Sequence, residues 1–292
     1  MCAEGAPGVN CDRVRLMRDR GEWLSDERAA PRPAVGPPGF GITPLLFRLQ
    51  GGRSVTTLAR SVNDASGLQS RIEAVRESID RAAARSGRRG AEVTLVAVVK
   101  TVPVVVVREA LALGVADLGE NRVQEAEAHV ETLGRAAAHW HMIGHLQRNK
   151  AARAVKLFDR VHSVDGVEVA RALSRHAQAA GRTVRALIEV NVGGDASKFG
   201  VAPAGLEALL EQALGLPGVA VDGLMTVAQQ TERPEQARPH FARLRELRDW
   251  AARSLGRALP ELSMGMSADF AIAIEEGATM VRVGTALFGA RI

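Results

Sequence analysis

From about Asp64 to Ile292, short apolar runs alternate with amphipathic stretches, and the alternation repeats eight times. The runs lie at 93–99, 115–118, 139–143, 160–164, 184–192, 219–225, 260–264 and 279–283. Amphipathic stretches lie at 121–133, 146–158, 167–180, 203–215, 234–256 and 268–276, and Pro103 and Gly114 bracket another. Alternation of this regularity predicts crossover helices between parallel strands, an α/β fold. Eight repeats fit a closed (β/α)8 TIM barrel; an open doubly wound sheet is the competing arrangement. A helix precedes the first strand, because Leu68, Ile72, Val75, Ile79 and Ala83 recur at helical spacing and Gly87 stops it.

Residues 1–63 differ in kind. They hold six of the 12 prolines, no sustained periodicity, and nine arginines against six acids. They read as a disordered extension, or as the product of a misplaced start codon ahead of Val62. The barrel is assigned to 64–292. Most of the formal charge of +5 belongs to the head, so the sequence pI near 10 is no sign of a nucleic-acid partner. No apolar run is long enough to span a membrane, and no secretory signal opens the chain. Cys2 and Cys11 are the only cysteines, which leaves no disulfide framework and points to the cytoplasm. No Rossmann GxGxxG, Walker loop or HExxH occurs.

All but four of the 38 basic residues are arginine. One of the four lysines, Lys100, follows the first apolar run, at the strand end where a barrel places its chemistry. Strand alternation puts Lys100 on the inward face with Val96 and Val98, at the rim of an apolar interior. Desolvation there would favour the neutral amine that attacks an aldehyde, which arginine cannot do. A surface lysine at a strand end is the plain alternative.

Two loops at the far end of the chain complete the pattern. Ser263-Met264-Gly265-Met266-Ser267 follows strand seven, and Val281-Arg282-Val283-Gly284-Thr285 follows strand eight. A barrel's usual phosphate site is built there. Ser267 stands at the predicted N-cap of the 268–276 helix, Gly284 admits close approach, and Thr285 adds a hydroxyl. Arg282 lies within an apolar strand and needs a partner, either an ordinary acidic residue or the ring nitrogen of a cofactor.

Beyond these loops, Leu118-Gly119-Glu120-Asn121-Arg122-Val123-Gln124-Glu125, Trp140-His141-Met142-Ile143-Gly144-His145-Leu146-Gln147-Arg148-Asn149-Lys150, Ser197-Lys198-Phe199-Gly200 and Gly223-Leu224-Met225-Thr226 run in order. With Val96 to Thr101 and the two loops, they resemble the pyridoxal phosphate homeostasis family over residues 64–292. The resemblance implies a single barrel similar to the cofactor domain of alanine racemase. It implies pyridoxal 5'-phosphate held as an imine at Lys100, with Arg282 facing the pyridine nitrogen. Ser267, Gly284 and Thr285 would hold the phosphate, and Ser263 and Asn121 would line the pocket. Leu118 and Val99 depart from the usual residues at their positions.

His139, His141 and His145 suggest a metal only weakly, since neither a fourth ligand nor a second shell is visible. Lys198 is a candidate second contact to the cofactor. The function expected is a carrier in vitamin B6 homeostasis, with apo forms of pyridoxal-phosphate enzymes as partners, as a monomer or weak homodimer. The alternative is a racemase-like enzyme. Racemase chemistry of that family pairs a lysine with a tyrosine, and this chain has no tyrosine. The sequence given also carries no second β-domain after strand eight that would close the rim.

Overall fold

The computed structural model describes residues 56–228 and 233–289, with side chains from residue 67 on. Most of the segment expected to be a disordered or mis-started head, residues 1–55, lies outside the described residues. The first helix, α1 (Thr56–Arg85), begins eight residues ahead of the expected start at Asp64.

Eight parallel strands close a barrel in chain order: β1 (Thr94–Val98), β2 (Asp117–Glu120), β3 (His139–Met142), β4 (Arg160–Val164), β5 (Val184–Glu189), β6 (Val219–Met225), β7 (Glu261–Met266) and β8 (Met280–Val283). Closure runs from Thr94↔Met280 to Ala97↔Val283, which places Val96 beside Arg282. Outside lie α2 (Val104–Ala112), α3 (Val123–Leu133), α4 (Ala151–Leu157), α5 (Val167–Ala179), α6 (Leu206–Leu214), α7 (Arg238–Ser254), α8 (Phe270–Glu275) and α9 (Thr285–Phe288). The barrel prediction holds and the open sheet is excluded.

The main core lies between strands and helices. Ala97 and Val99 point into it from β1 and its extension, while Leu68, Ile72, Val75 and Ile79 bury the inner stripe of α1. Each of these valine, leucine and isoleucine side chains contributes roughly 1.5–3 kcal/mol by leaving water. Arg71 Nε donates to Leu287 O at 2.6 Å, and Arg88 Nη1 to Ala278 O at 2.9 Å, tying the region of α1 to the last strand and helix. No described helix is long and apolar enough to cross a membrane.

The barrel interior corrects the sequence reading. It was expected to be apolar, yet beside buried Val96 and Val98 and a small cluster of Leu187, Met225 and Met280 it holds polar groups. Around them lie buried Glu120, His141, Arg160, His162, Glu189, Ser263 and Arg282. Near the amino-terminal strand ends, Arg160 pairs with Asp222 at 3.2 Å and Glu261 at 3.1 Å. Burial pushes the Asp222 carboxyl up, with Arg160 and Arg185 opposing the shift. Arg160 persists at this depth because it has two opposite partners.

Candidate functional site

The carboxyl end of β1 turns sharply. Val102 N donates to Val99 O at 2.9 Å, so Lys100 and Thr101 are the central residues of a tight turn. Thr101 takes a φ of +62°, alone among the described non-glycine residues in being positive. A β-branched residue in that region stores about 1–3 kcal/mol of strain and needs support. The support comes from a buried pair. His129 Nδ1 lies 2.5 Å from Glu120 Oε1, and His129 Nε2 lies 3.1 Å from Val102 O. A carbonyl only accepts, so Nε2 carries hydrogen. Nδ1 then either carries a second one or takes one from a protonated Glu120. Either way the pair is neutral and holds one proton. Burial pushes Glu120 up, and its hydrogen bond to Glu120 raises His129.

Half-buried Lys100 borders a cavity of about 160 Å³ whose walls include Val98, Val106, Gly284, Thr285 and Phe288. Gly284 has a φ of −118°, and a methyl group on it would sit 3.4 Å from Val98 Cβ, an ordinary contact. Neither backbone conformation nor protein packing requires glycine here, so what it preserves is open space beside Lys100. Gly284 N and Ala286 N both donate to Ser267 Oγ, at 3.1 and 3.2 Å. Two amides thus converge on one oxygen, the arrangement that suits a phosphate. The sequence reading had Ser267 capping the following helix. Asp269 stands at the N-cap position of α8, makes no side-chain cap bond to the helix, and accepts on its Oδ1 from Met266 N at 2.6 Å. Ser267 instead reaches across to the start of α9.

Arg282 is 4% exposed and has no ion pair with a carboxylate among the described residues. Its Nη1 donates to Ser263 Oγ at 2.6 Å and its Nη2 to Thr226 O at 2.8 Å. Burial lowers it to about 10, so it stays charged at neutral pH. The alternative of an ordinary acidic partner therefore finds no support among the described residues. Glu189 and Asp269 act on it only through the field, and burial, then Asp165, push Glu189 up to about 7.

Lys100, Gly284 and Thr285 thus share one cavity, Ser267 adjoins it through the α9 amides, and Ser263 and Arg282 lie inside the barrel. Asn121 borders a different cavity, of about 590 Å³, with Gly144, His145 and Lys150. The three histidines go separate ways. His139 is exposed, His141 bonds Asp117 and His162, and His145 pairs with Asp165 at 3.1 Å while stacking on Phe199 at 3.8 Å. Lys198 Nζ donates to Ala228 O at 3.0 Å. Sequence reasoning missed Glu120 with His129, His162 and Glu189. The signal for His162 was present: Arg160 and His162 alternate inside an apolar run, as only inward-facing residues would.

The donor set fits pyridoxal phosphate: a strand-end amine, an oxyanion notch, and a buried cation lacking a carboxylate partner. Among known proteins, the family model of the alanine racemase N-terminal domain matches residues 71–292. The pyridoxal phosphate homeostasis protein of Aquifex aeolicus is 46% identical over 221 residues, covering 76% of this chain and 97% of that protein. The protein of the same name from Pseudomonas aeruginosa is 44% identical over 226 residues, covering 77% and 96%. The solved structure of PipY from Synechococcus elongatus with pyridoxal phosphate bound matches at a TM-score of 0.67 and 36% identity, over 76% of this chain and 100% of that one. Fold and site define a single barrel of the alanine racemase N-terminal type. Within that class, the chain belongs to the pyridoxal phosphate homeostasis protein family. These relatives carry the name of a homeostasis protein rather than of an enzyme.

Proposed function

We propose that this chain binds pyridoxal 5'-phosphate through Lys100 and serves vitamin B6 homeostasis in the cytoplasm, handing cofactor to apo forms of enzymes that need it. The observation that carries the reading is Arg282. It is a buried, charged guanidinium held by a hydroxyl and a carbonyl, on the strand beside the one that leads into the Lys100 turn. When bound, the cofactor supplies an aldehyde that an amine can hold as an imine, and a pyridine ring that can accept electron density.

Each residue has a part in this reading. Lys100 holds the aldehyde carbon. Arg282, which gives up no proton at neutral pH, keeps the ring nitrogen unprotonated and so weakens the ring as an electron sink. Ser263 fixes Arg282 from one side. Ser267, Gly284 and Thr285 hold the phosphate, with the Gly284 and Ala286 amides turning from Ser267 Oγ to the ligand. Asn121 lines the neighbouring rim. A carrier needs binding and exchange but no pair of bases around a substrate, and the chain contains no tyrosine for the second base of a racemase.

The test is borohydride reduction of the yellow protein followed by peptide mapping. Label on the peptide containing Lys100, with loss of cofactor retention in Lys100→Ala, supports the reading. Retention through another lysine in that variant overturns it.

A further inference from the structure

Among the described residues the side chain of Glu120 has one partner, His129, and the pair ends on the turn that carries Lys100. Glu120 is fully buried and His129 is 8% exposed. Glu120 Oε1 lies 2.5 Å from His129 Nδ1, while Glu120 Oε2 is buried with no partner. On the other side of the ring, His129 Nε2 lies 3.1 Å from the carbonyl oxygen of half-buried Val102. Val102 N closes the turn on Val99 O at 2.9 Å, and Thr101 holds its φ of +62° between them. Lys100, Thr101 and Val102 all border the cavity of about 160 Å³, and neither Glu120 nor His129 does.

The ring serves both neighbours only while the pair keeps its proton. A carboxylate and a carbonyl both accept, so a hydrogen must lie on each side of the ring. When the pair loses one, a single hydrogen is left for two acceptors. Glu120 keeps it, because it is ionised, buried and without another donor. Nε2 is then bare, and the Val102 carbonyl turns to water. One bond to hydrogen breaks, hydroxide takes the proton and becomes water, and no electrons are exchanged. The charges that act on His129 are those of Glu120 and of Glu125, one turn back on α3. Arg122 stands 4.0 Å from Glu125, and Lys150 borders the same cavity as Glu125. Arg135, after α3, is taken by Asp159, and Arg153 of α4 by Glu127. From α2, Val107 and Ala110 are buried, Glu109 is half-buried and Arg108 is exposed. Burial raises Glu120 and its hydrogen bond to Glu120 raises His129, so the pair holds its proton beyond the ordinary range of either group.

We propose that Glu120 and His129 are positioning residues for the Lys100 amine, and that the proton they share holds the Lys100 turn closed. The proposal rests on the reading that Lys100 binds pyridoxal phosphate. With the proton in place, the Val102 carbonyl is anchored and Thr101 is kept at a φ that a β-branched residue abandons when free. Without it, the strain at Thr101 opens the turn, and Lys100 moves away from Gly284 and Thr285 on the facing wall. Rising pH thereby speeds cofactor release through a residue that does not border the cavity.

The test has two arms. In the first, the full chain without cofactor carries ¹⁵N in its 7 histidine rings. Long-range nitrogen–proton spectra report the hydrogen on each ring nitrogen, and His129 is assigned by its absence from the spectrum of a variant. The expected result is hydrogen on Nε2 at pH 6 and on Nδ1 alone at pH 9. In the second arm, release of pyridoxal phosphate on dilution is followed by absorbance at both pH values. His129→Lys keeps a charged donor for both acceptors, and His129→Gln offers an amide that does not titrate. The pH dependence of the imine itself is common to all three proteins. Release should quicken from pH 6 to pH 9 by about tenfold more in the wild type than in either variant, as one hydrogen bond is lost. His129→Lys should release as slowly as the wild type at pH 6, and His129→Gln fast at both values. An Nε2 that keeps its hydrogen at pH 9, or a variant with the wild-type ratio of rates, overturns the proposal alone, and one folded variant suffices. A wild type that takes up no cofactor, or holds it as well after Lys100→Ala, overturns the functional reading and the proposal with it.

Discussion

Glu120 and His129 form a buried pair, 2.5 Å apart, directly under the turn that carries Lys100. The folded pKa of each is raised, His129 by its hydrogen bond to Glu120 and Glu120 by burial. A raised folded pKa contributes stability that is fully present below the unfolded value and is lost as pH rises through the folded one. For His129 the loss therefore begins above about 6.5, its ordinary value. Urea unfolding of the wild type from pH 6 to pH 9 should show stability falling across that range. His129→Gln should lower stability at pH 6 by about 1–3 kcal/mol and remove the share of the slope that His129 carries, leaving that of Glu189, whose carboxyl burial raises to about 7. An unchanged slope in the variant would show that the pair does not hold the proton.

Thr101 is the cost of the same turn. Replacing it with glycine removes the strain of its positive φ but adds freedom to the unfolded chain, so Thr101→Gly should stabilise the protein by about 1 kcal/mol. A looser turn positions Lys100 less well, so release of pyridoxal phosphate, followed by dilution and absorbance, should speed up. A gain in stability with slower release would contradict that link.

The barrel was legible because its signal is redundant. Eight apolar runs fell on the eight strands to within a few residues, and the stripe from Leu68 to Ala83 gave the buried face of α1. What escaped is short or non-local. Helix α9 has four residues, fewer than a turn-and-a-half of periodicity can show. Ser267 reads as a cap in sequence, and only the fold shows that it directs its hydroxyl to amides 17 and 19 residues away. The polar interior was hidden because inward and outward residues of one strand were read as a single apolar run. Arg282 was picked out because a cation between two valines is conspicuous in any reading. His129 sits amid an ordinary amphipathic helix, and nothing local marks it as the partner of Glu120.

Gly284→Ala should leave unfolding within about 1 kcal/mol of wild type, because its methyl group meets Val98 at ordinary contact distance. Gly284→Val fills the cavity beside Lys100 further. Titration with pyridoxal phosphate should show about tenfold weaker binding for alanine and more for valine. Equal affinity in all three proteins would place the phosphate elsewhere.

Lys198 offers a sharper division between binding and handover. Its Nζ is held by backbone carbonyls of the loop after β6, beside exposed Phe199, outside the cavity that Lys100 borders. A lysine so placed can serve a departing ligand without holding the resident one. Lys198→Ala should therefore keep the wild-type amount of tightly bound cofactor at Lys100 and yield it more slowly to an added apo-enzyme. Activity regained by that apo-enzyme, measured against free pyridoxal phosphate as a control, reads the transfer rate. Unchanged stoichiometry together with unchanged transfer would remove Lys198 from any role with the cofactor. Purified holo-protein incubated with amino acids in deuterated water checks the other side of the assignment. A carrier should show no Cα exchange above the rate of free cofactor, whereas sustained exchange that depends on Lys100 would favour the racemase-like alternative.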